Sequence, residues 1–205
     1  RSRADSPPRP RASKLSGKRT ERASPPCAHA PPDAAMTQQR RIACAIMTAD
    51  CLPVLFAAFD VSGKAVGVAA AHAGWRGLHA GVLQASANAL AKACAVPTSQ
   101  VKAWMGPAIG PESFEVGQEV FDAFVQQNAL NAACFTSGQT CGKYLADIYA
   151  LARIALSGLG VVNVEGGGLD TLTDLRWFSH RRGQQQGVPS GRFATLIRLL
   201  PGQVA

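Results

Sequence analysis

Two side chains able to do chemistry stand at the ends of one apolar run: Cys51 in "TADC" and His72 in "AHAGWRG". A thiolate beside an imidazolium is a nucleophile. Alternatively, such a pair can be ligands of zinc, and a catalytic zinc usually takes a third protein ligand and keeps an open position. The residues between them, "LPVLFAAF", "DVSGK" and "AVGVAAA", read as strand, turn and strand. A turn centred near Ser62 puts Cys51 directly opposite His72, with Cβ atoms roughly 4.5–5.5 Å apart. A slip of one residue would turn one of them to the other face. Asp50 adjoins the cysteine, as a general base or as an orienting carboxylate. A buried cysteine beside a satisfied core histidine is the reading without chemistry.

Further candidates flank this pair. Arg76 follows Gly74 at the start of a helix, where free N–H groups and a guanidinium suit an anion. Glu115 lies in "GPAIGPESFEVG", whose two Gly-Pro steps make a rigid loop of the kind that lines pockets. Ser179, Arg181 and Arg182 stand in "FSHRRG", before a stretch rich in Gly and Gln that reads as a flexible linker. Paired arginines there suit phosphate, or serve as ordinary surface charge. His79 reads as a surface helix residue.

These residues need elements to hold them. Ile42–Met47, Leu52–Phe59 and Ala65–Ala71 read as strands, as do Val101–Met105, Val161–Val164 and Phe193–Leu199. Leu78–Ala93, Gly117–Gln127 and Lys143–Leu156 read as helices, the last two with clear apolar faces. Strands and helices in this order predict an α/β domain.

The chain has 205 residues, 47% of them hydrophobic, enough for one domain with a real core. No apolar run approaches the roughly 20 residues that span a bilayer, so no membrane role is expected. The net charge of +8 would suit nucleic acid, but its distribution excludes that role for the body. Ten of the 21 Lys/Arg and three of the 13 Asp/Glu fall in residues 1–41, leaving the remainder nearly neutral. Seven of the 13 prolines lie in residues 1–40. Residues 1–31 are therefore expected to form a disordered basic leader, and residues 32–205 the folded domain. None of the six cysteines forms a CxxC pair, which fits a reducing cytoplasm.

"TADCLPVLF", "AAAHAGWRGL", "GPAIGPESFEVG", "KYLADIY", "FSHRR" and "SGRFATLI" occur in this order. Together they resemble the YfiH-type family, which carries a laccase-like, multicopper polyphenol oxidase label. Its members are read as purine nucleoside phosphorylases with adenosine deaminase side activity. The resemblance covers about residues 32–200. It implies a single-domain α/β sandwich around a mixed β-sheet. It also implies a His–Cys–His zinc site, near which phosphate attacks the ribose C1′ of adenosine, inosine, guanosine or methylthioadenosine. On this resemblance Cys51 and His72 are metal ligands, and Arg76, Glu115, Ser179, Arg181 and Arg182 surround nucleoside and phosphate.

Three departures accompany the resemblance. The family's first ligand histidine lies in a "Q-x-H-G" segment upstream of an "ADA" motif. Here "PDAAM" resembles that motif, and no such segment precedes it, so the domain is expected to lack its usual N-terminal part. The family usually has cysteine near Asp170. Its "SYRR" is "SHRR" here, which puts His180 in the place of tyrosine. The competing readings are an inactive homologue and a Cys51–His72 hydrolase. A copper oxidase is disfavoured, because four histidines without a dense His-x-His pattern are too few for several coppers.

Overall fold

The computed structural model describes residues 33–200. The expected leader at residues 1–31 lies outside the described residues. A five-stranded sheet forms the centre. It comprises β1 (Ala34–Thr37), β3 (Leu52–Phe59), β4 (Ala65–Ala73), β5 (Val101–Met105) and β9 (Val164–Gly166), in the order β1-β4-β3-β5-β9. All its pairings are antiparallel except β5 with β9, so the sheet is mixed. A ribbon of β2 (Ala43–Thr48) and β10 (Phe193–Arg198) packs on one face. Helices α2 (Val82–Cys94) and α4 (Ile148–Ser157) pack on the other.

The alternation of side chains assigns each face. Leu52, Val54, Phe56 and Ala58 of β3 point to the helices, with Ala69, Ala71 and Ala73 of β4 beside them. Leu55, Val68 and Ala70 point to the ribbon, where Cys44, Ile46 and Leu199 meet them. Both faces of β3 are covered, so it reads as a continuous apolar run. Each of Leu52, Val54 and Phe56 is fully buried, worth about 1.5–3 kcal/mol apiece. The small alanines of β4 let α2 lie close to the sheet.

The β3–β4 hairpin differs from its expected register. Its loop, Asp60–Lys64, is held by the Asp60 carboxylate, which accepts from the Ser62 and Lys64 N–H groups and the Ser62 hydroxyl. Phe59 pairs with Ala65, and a bulge between Ala58 and Phe59 then adds one residue on the β4 side. Pro53, not Cys51, consequently stands opposite His72. The loop centre and the bulge each move the register by one residue. A shift of two preserves the face. Cys51 and His72 are therefore diagonal neighbours on one side of the sheet instead of a directly opposed pair.

Other boundaries differ for local reasons. The single helix expected over Leu78–Ala93 is two: α1 (Trp75–His79) and α2, separated by Gly81 at φ +85°. That left-handed backbone suits glycine and ends the first helix. The helix expected over Lys143–Leu156 begins as strand β8 (Lys143–Ala146). β8 lies between β6 (Glu115–Gly117) and β7 (Phe135–Ser137) in a small sheet. Asp147 then caps α4 by accepting from the Ala150 N–H. The strand expected at Val161–Val164 begins only at Val164, as β9. The Gly/Gln stretch expected as a linker is helix α5 (His180–Gln186). Helix α3 (Gln118–Gln127) falls within its expected range.

Candidate active site

Cys51 is placed by the turn that joins β2 to β3. Asp50, just before it, has φ +80°, a conformation that only a few non-glycine residues adopt, Asp among them. The buried Asp50 side chain is anchored at both oxygens. Oδ1 accepts from the Thr171 hydroxyl at 2.6 Å, and Oδ2 accepts from the Arg181 N–H at 2.6 Å. Its carbonyl accepts from the Ile109 N–H at 3.0 Å. One residue thus ties together the β2–β3 turn, the Gly-Pro loop, the segment around Thr171 and helix α5.

His72 ends β4. Its N–H donates to the Asp33 carbonyl at 2.8 Å, and its Nδ1 lies 3.8 Å from Asp33 Oδ1. Nε2 faces the other way, towards Cys51. A methyl group added at Gly74 would lie 3.1 Å from Cys51 Sγ and 3.6 Å from His72 Nε2. The thiol and the imidazole therefore converge on one small space that glycine leaves open.

Two cavities flank Cys51 and share Ala49, Cys51 and His180. One, of about 160 Å³, has apolar walls from Trp75, Ile109, Phe114 and Ile148, with Asp50, Arg181 and Gln184 also lining it. The other, of about 210 Å³, is lined by Thr48, His72, Ser190 and Arg192 among others. Burial first, then the Asp50 charge, pushes the Cys51 thiol up from its ordinary pKa, while Arg192 pulls it down.

The candidates from sequence divide into two groups. Cys51, His72, Asp50 and Arg181 line these cavities. Arg181 also donates through its guanidinium to the Glu115 carbonyl at 3.1 Å. Ser179 caps α5, its Oγ accepting from the Arg182 N–H. The Arg182 guanidinium donates to the carbonyls of Thr171, Leu172 and Trp177. The Arg76 guanidinium stacks on Trp75, 4.3 Å from the ring centre, and the Glu115 side chain is exposed on β6. These four do not line either cavity. Sequence reasoning missed Asp33, Trp75 and Arg192 as site residues, and noted His180 only as standing in the place of the family's tyrosine. All four lay inside quoted motifs, but nothing in their spacing set them apart.

The donor set bears on the implied zinc. Cys51 and His72 converge, and Asp33 stands behind the far ring nitrogen as an orienting carboxylate does. Among the described residues, however, no group of three or more His, Cys, Asp or Glu side chains is placed to hold a metal. The described chain thus offers two donors where a catalytic zinc usually takes three. It does not form a complete metal site, and no chemical step is assigned to a metal below.

A family model described as multi-copper polyphenol oxidoreductase laccase matches residues 13–200, and the chain belongs to that family, the YfiH-type family of the resemblance. It is 49% identical over 168 residues to the purine nucleoside phosphorylase PA4543 of Pseudomonas aeruginosa, covering 82% of this chain and 64% of that one. Against the purine nucleoside phosphorylase YfiH of Escherichia coli it is 45% identical over 169 residues, with the same coverage. Among solved structures, Neisseria meningitidis protein NMB0706 superposes with a TM-score of 0.71 at 48% identity, covering 82% of this chain and 65% of that one. YlmD from Geobacillus stearothermophilus gives 0.72 at 26% identity, covering 82% and 61%. The match spans less than two thirds of the length of each of these proteins. No helix among the described residues is long and apolar enough to cross a membrane.

Proposed function

We propose that this chain carries the catalytic centre of a purine nucleoside phosphorylase. A phosphate oxygen forms a bond to C1′ of the nucleoside as the C1′–N9 bond breaks. The electron pair leaves with the purine, which takes up a proton, and the products are free base and ribose 1-phosphate, or 5-methylthioribose 1-phosphate from methylthioadenosine. Adenosine, inosine, guanosine and methylthioadenosine are the substrates in this reading. Zinc, held in part by Cys51 and His72, is its metal.

The observation that carries the reading is the convergence of Cys51 and His72 between two cavities, in a stretch that aligns with relatives named purine nucleoside phosphorylase. Arg181 lines the apolar cavity, its backbone held by Asp50, and in this reading it acts on the bound ligand. Asp50 acts as a positioning residue, since its two oxygens are engaged with Thr171 and Arg181. Ser179 and Arg182 support the same helix from behind. Arg76 and Glu115 would reach a ligand only from the periphery.

The competing hydrolase would use Cys51 as a thiolate. The upward push on that thiol counts against it. Chromatography of adenosine and inosine digests separates the readings. Free base that needs phosphate, falls with chelator and disappears in Cys51→Ser supports the phosphorylase. Hydrolysis indifferent to phosphate and chelator, but lost on alkylation, supports the hydrolase. Inosine formed from adenosine without phosphate would score the deaminase side activity that the family resemblance implies. A site confined to the nucleoside scale also fits a body without concentrated basic charge, so no nucleic-acid or membrane partner belongs to this reading. The place of action in this reading is the cytoplasm.

A further inference from the structure

A separate cavity, of about 280 Å³, lies where α1, α2, α3 and α4 meet. It shares no lining residue with either cavity at Cys51. Helices α1 and α4 contribute to both regions, with Trp75 and Ile148 at the Cys51 side and Leu78 and Leu151 here.

Its lining is apolar surface and carboxamides. Leu78, Phe124, Leu151, Ile154 and Leu159 supply the first, and Gln84, Gln127, Asn128 and Asn131 the second. None of the lining residues carries a charge. An ion entering here would give up water without meeting a counter-charge, at high cost. The lining therefore suits an uncharged ligand.

Three of the four carboxamides are only half engaged by the protein. Gln127 Nε2 donates to the His79 carbonyl at 3.0 Å, and Asn128 Oδ1 accepts from the Leu130 N–H at 3.0 Å. Asn131 Nδ2 donates to the Phe124 carbonyl at 2.9 Å. A carbonyl only accepts, so the atom facing it is the amide nitrogen and the Asn131 oxygen is the free end. Asn131 is 5% exposed, yet its Oδ1 has no partner among the described residues and is not sealed from solvent. An amide oxygen on so buried a residue is normally satisfied. The groups left over are two acceptors, Gln127 Oε1 and Asn131 Oδ1, and one donor, Asn128 Nδ2. A ligand that matches them carries both N–H donors and nitrogen acceptors, as the edge of adenine does for Asn and Gln. The volume falls just under the roughly 300–1,000 Å³ typical of drug-sized ligands, so the occupant is small.

We propose that this cavity is a second binding site, for a free uncharged purine base, with Asn131 Oδ1 accepting from an N–H of the base and the apolar walls covering its faces. The choice of a purine among neutral heterocycles rests on the phosphorylase reading, in which the chain releases such a base. The cavity and its free amide groups stand on their own observations.

The test is calorimetric titration of the full chain with adenine, beside benzoate as a charged ring. Adenine should bind, and benzoate at least roughly tenfold more weakly. Ala155→Leu fills the cavity from α4 with a good helix former and should abolish the adenine binding that belongs there. Asn131→Leu should weaken it roughly tenfold, as loss of one buried hydrogen bond does. Asn88→Leu, an exposed change on α2 outside the cavity, should leave it unchanged. Thermal melts check folding, and Ala155→Leu decides the matter if Asn131→Leu does not fold. Adenine binding in Ala155→Leu equal to the parent's would overturn the proposal, because the base would then sit elsewhere. No adenine binding by the parent chain at millimolar concentration would overturn it, and so would equal binding of benzoate. Base release from nucleosides should persist in Ala155→Leu. Its loss in that variant, still folded, would place the bound base in the reaction itself and overturn the second site. If adenine binding depends on Ala155 while no nucleoside yields base, the phosphorylase reading fails and the site for a neutral heterocycle survives.

Discussion

Asp50 Oδ2 accepts a hydrogen bond of 2.6 Å from the backbone N–H of Arg181, a residue 131 positions later in the chain. Its other oxygen takes the buried hydroxyl of Thr171. The site is therefore assembled by long-range contacts that converge on one strained residue beside the candidate cysteine. Strain of this kind persists where the surroundings over-determine it.

Replacing that residue should separate anchoring from charge. Asp50→Ala removes both acceptors and puts a less tolerant side chain at φ +80°. We expect a loss of about 3 kcal/mol in urea unfolding, since two bonds to a charged group are lost and two donors are left unpaired. Asp50→Asn keeps the left-handed tolerance and one carbonyl acceptor, so it should cost less. Equal stability for both variants would show that the carboxylate anchors nothing.

Alkaline pH should destabilise the domain by a predictable route. The Tyr149 hydroxyl accepts from the Ala108 N–H at 2.7 Å and lies 2.9 Å from the Leu169 carbonyl, its proton acceptor. Burial pushes its pKa from 10.0 up to about 12, and burial pushes the Cys134 thiol from 9.0 up to about 11. Both groups hold their protons longer when folded than when unfolded. Their contribution is complete below the unfolded pKa and is lost as pH rises through the folded value. Unfolding free energy should thus fall between about pH 9 and 12. Tyr149→Phe should flatten the upper part of that fall. It should also lower stability at neutral pH by about 1–3 kcal/mol, because Ala108 N–H loses its acceptor. A curve identical to the parent's would refute the role given to Tyr149.

Much of this architecture could be read from the chain, and its gaps have physical causes. Leu52–Phe59 was legible as an apolar run bounded by turn residues, and Val101–Met105 by its alternation of apolar and exposed positions. The hairpin register was not, because a bulge inserts Val66 without any signature in composition. Helix α5 was hidden by its polar sequence and by Gly183. That glycine is needed there, since an added Cβ would lie 2.8 Å from the Val188 carbonyl oxygen. Strand β8 was hidden because "KYLA" is too short to show a period of two against the helix that follows. Cys51 and His72 were legible as a pair by type and neighbourhood. Arg192 was not, because only the pairing of β10 with β2 brings its neighbourhood beside Cys51 and His72.

The triple glycine offers a paired test of backbone strain. Gly166, Gly167 and Gly168 all have positive φ, at +76°, +84° and +75°. A Cβ at Gly166 would collide with the Met105 carbonyl oxygen, whereas one at Gly168 would meet nothing within 4 Å. Gly168→Ala should therefore cost only the left-handed penalty, about 1–2 kcal/mol. Gly166→Ala adds a backbone clash where β9 pairs with β5 and should cost clearly more. Equal costs in chemical denaturation would mean that the close approach of β9 to β5 is not maintained in solution.

Gly74→Ala probes the site itself with the smallest possible addition. Gly74 has φ −61° and ψ 159°, which alanine adopts without strain. The stability of the variant should stay within about 1 kcal/mol of the parent. Its methyl group, however, would occupy the space on which Cys51 Sγ and His72 Nε2 converge, at 3.1 and 3.6 Å. A ligand atom bound jointly by thiol and imidazole must sit in that space. Zinc content measured after equilibration with a metal buffer should therefore drop in Gly74→Ala, to the level of Cys51→Ser. Phosphate-dependent base release should drop with it. If metal content and base release match the parent in a variant of unchanged stability, the convergence of Cys51 and His72 is a packing feature and the chemistry lies elsewhere.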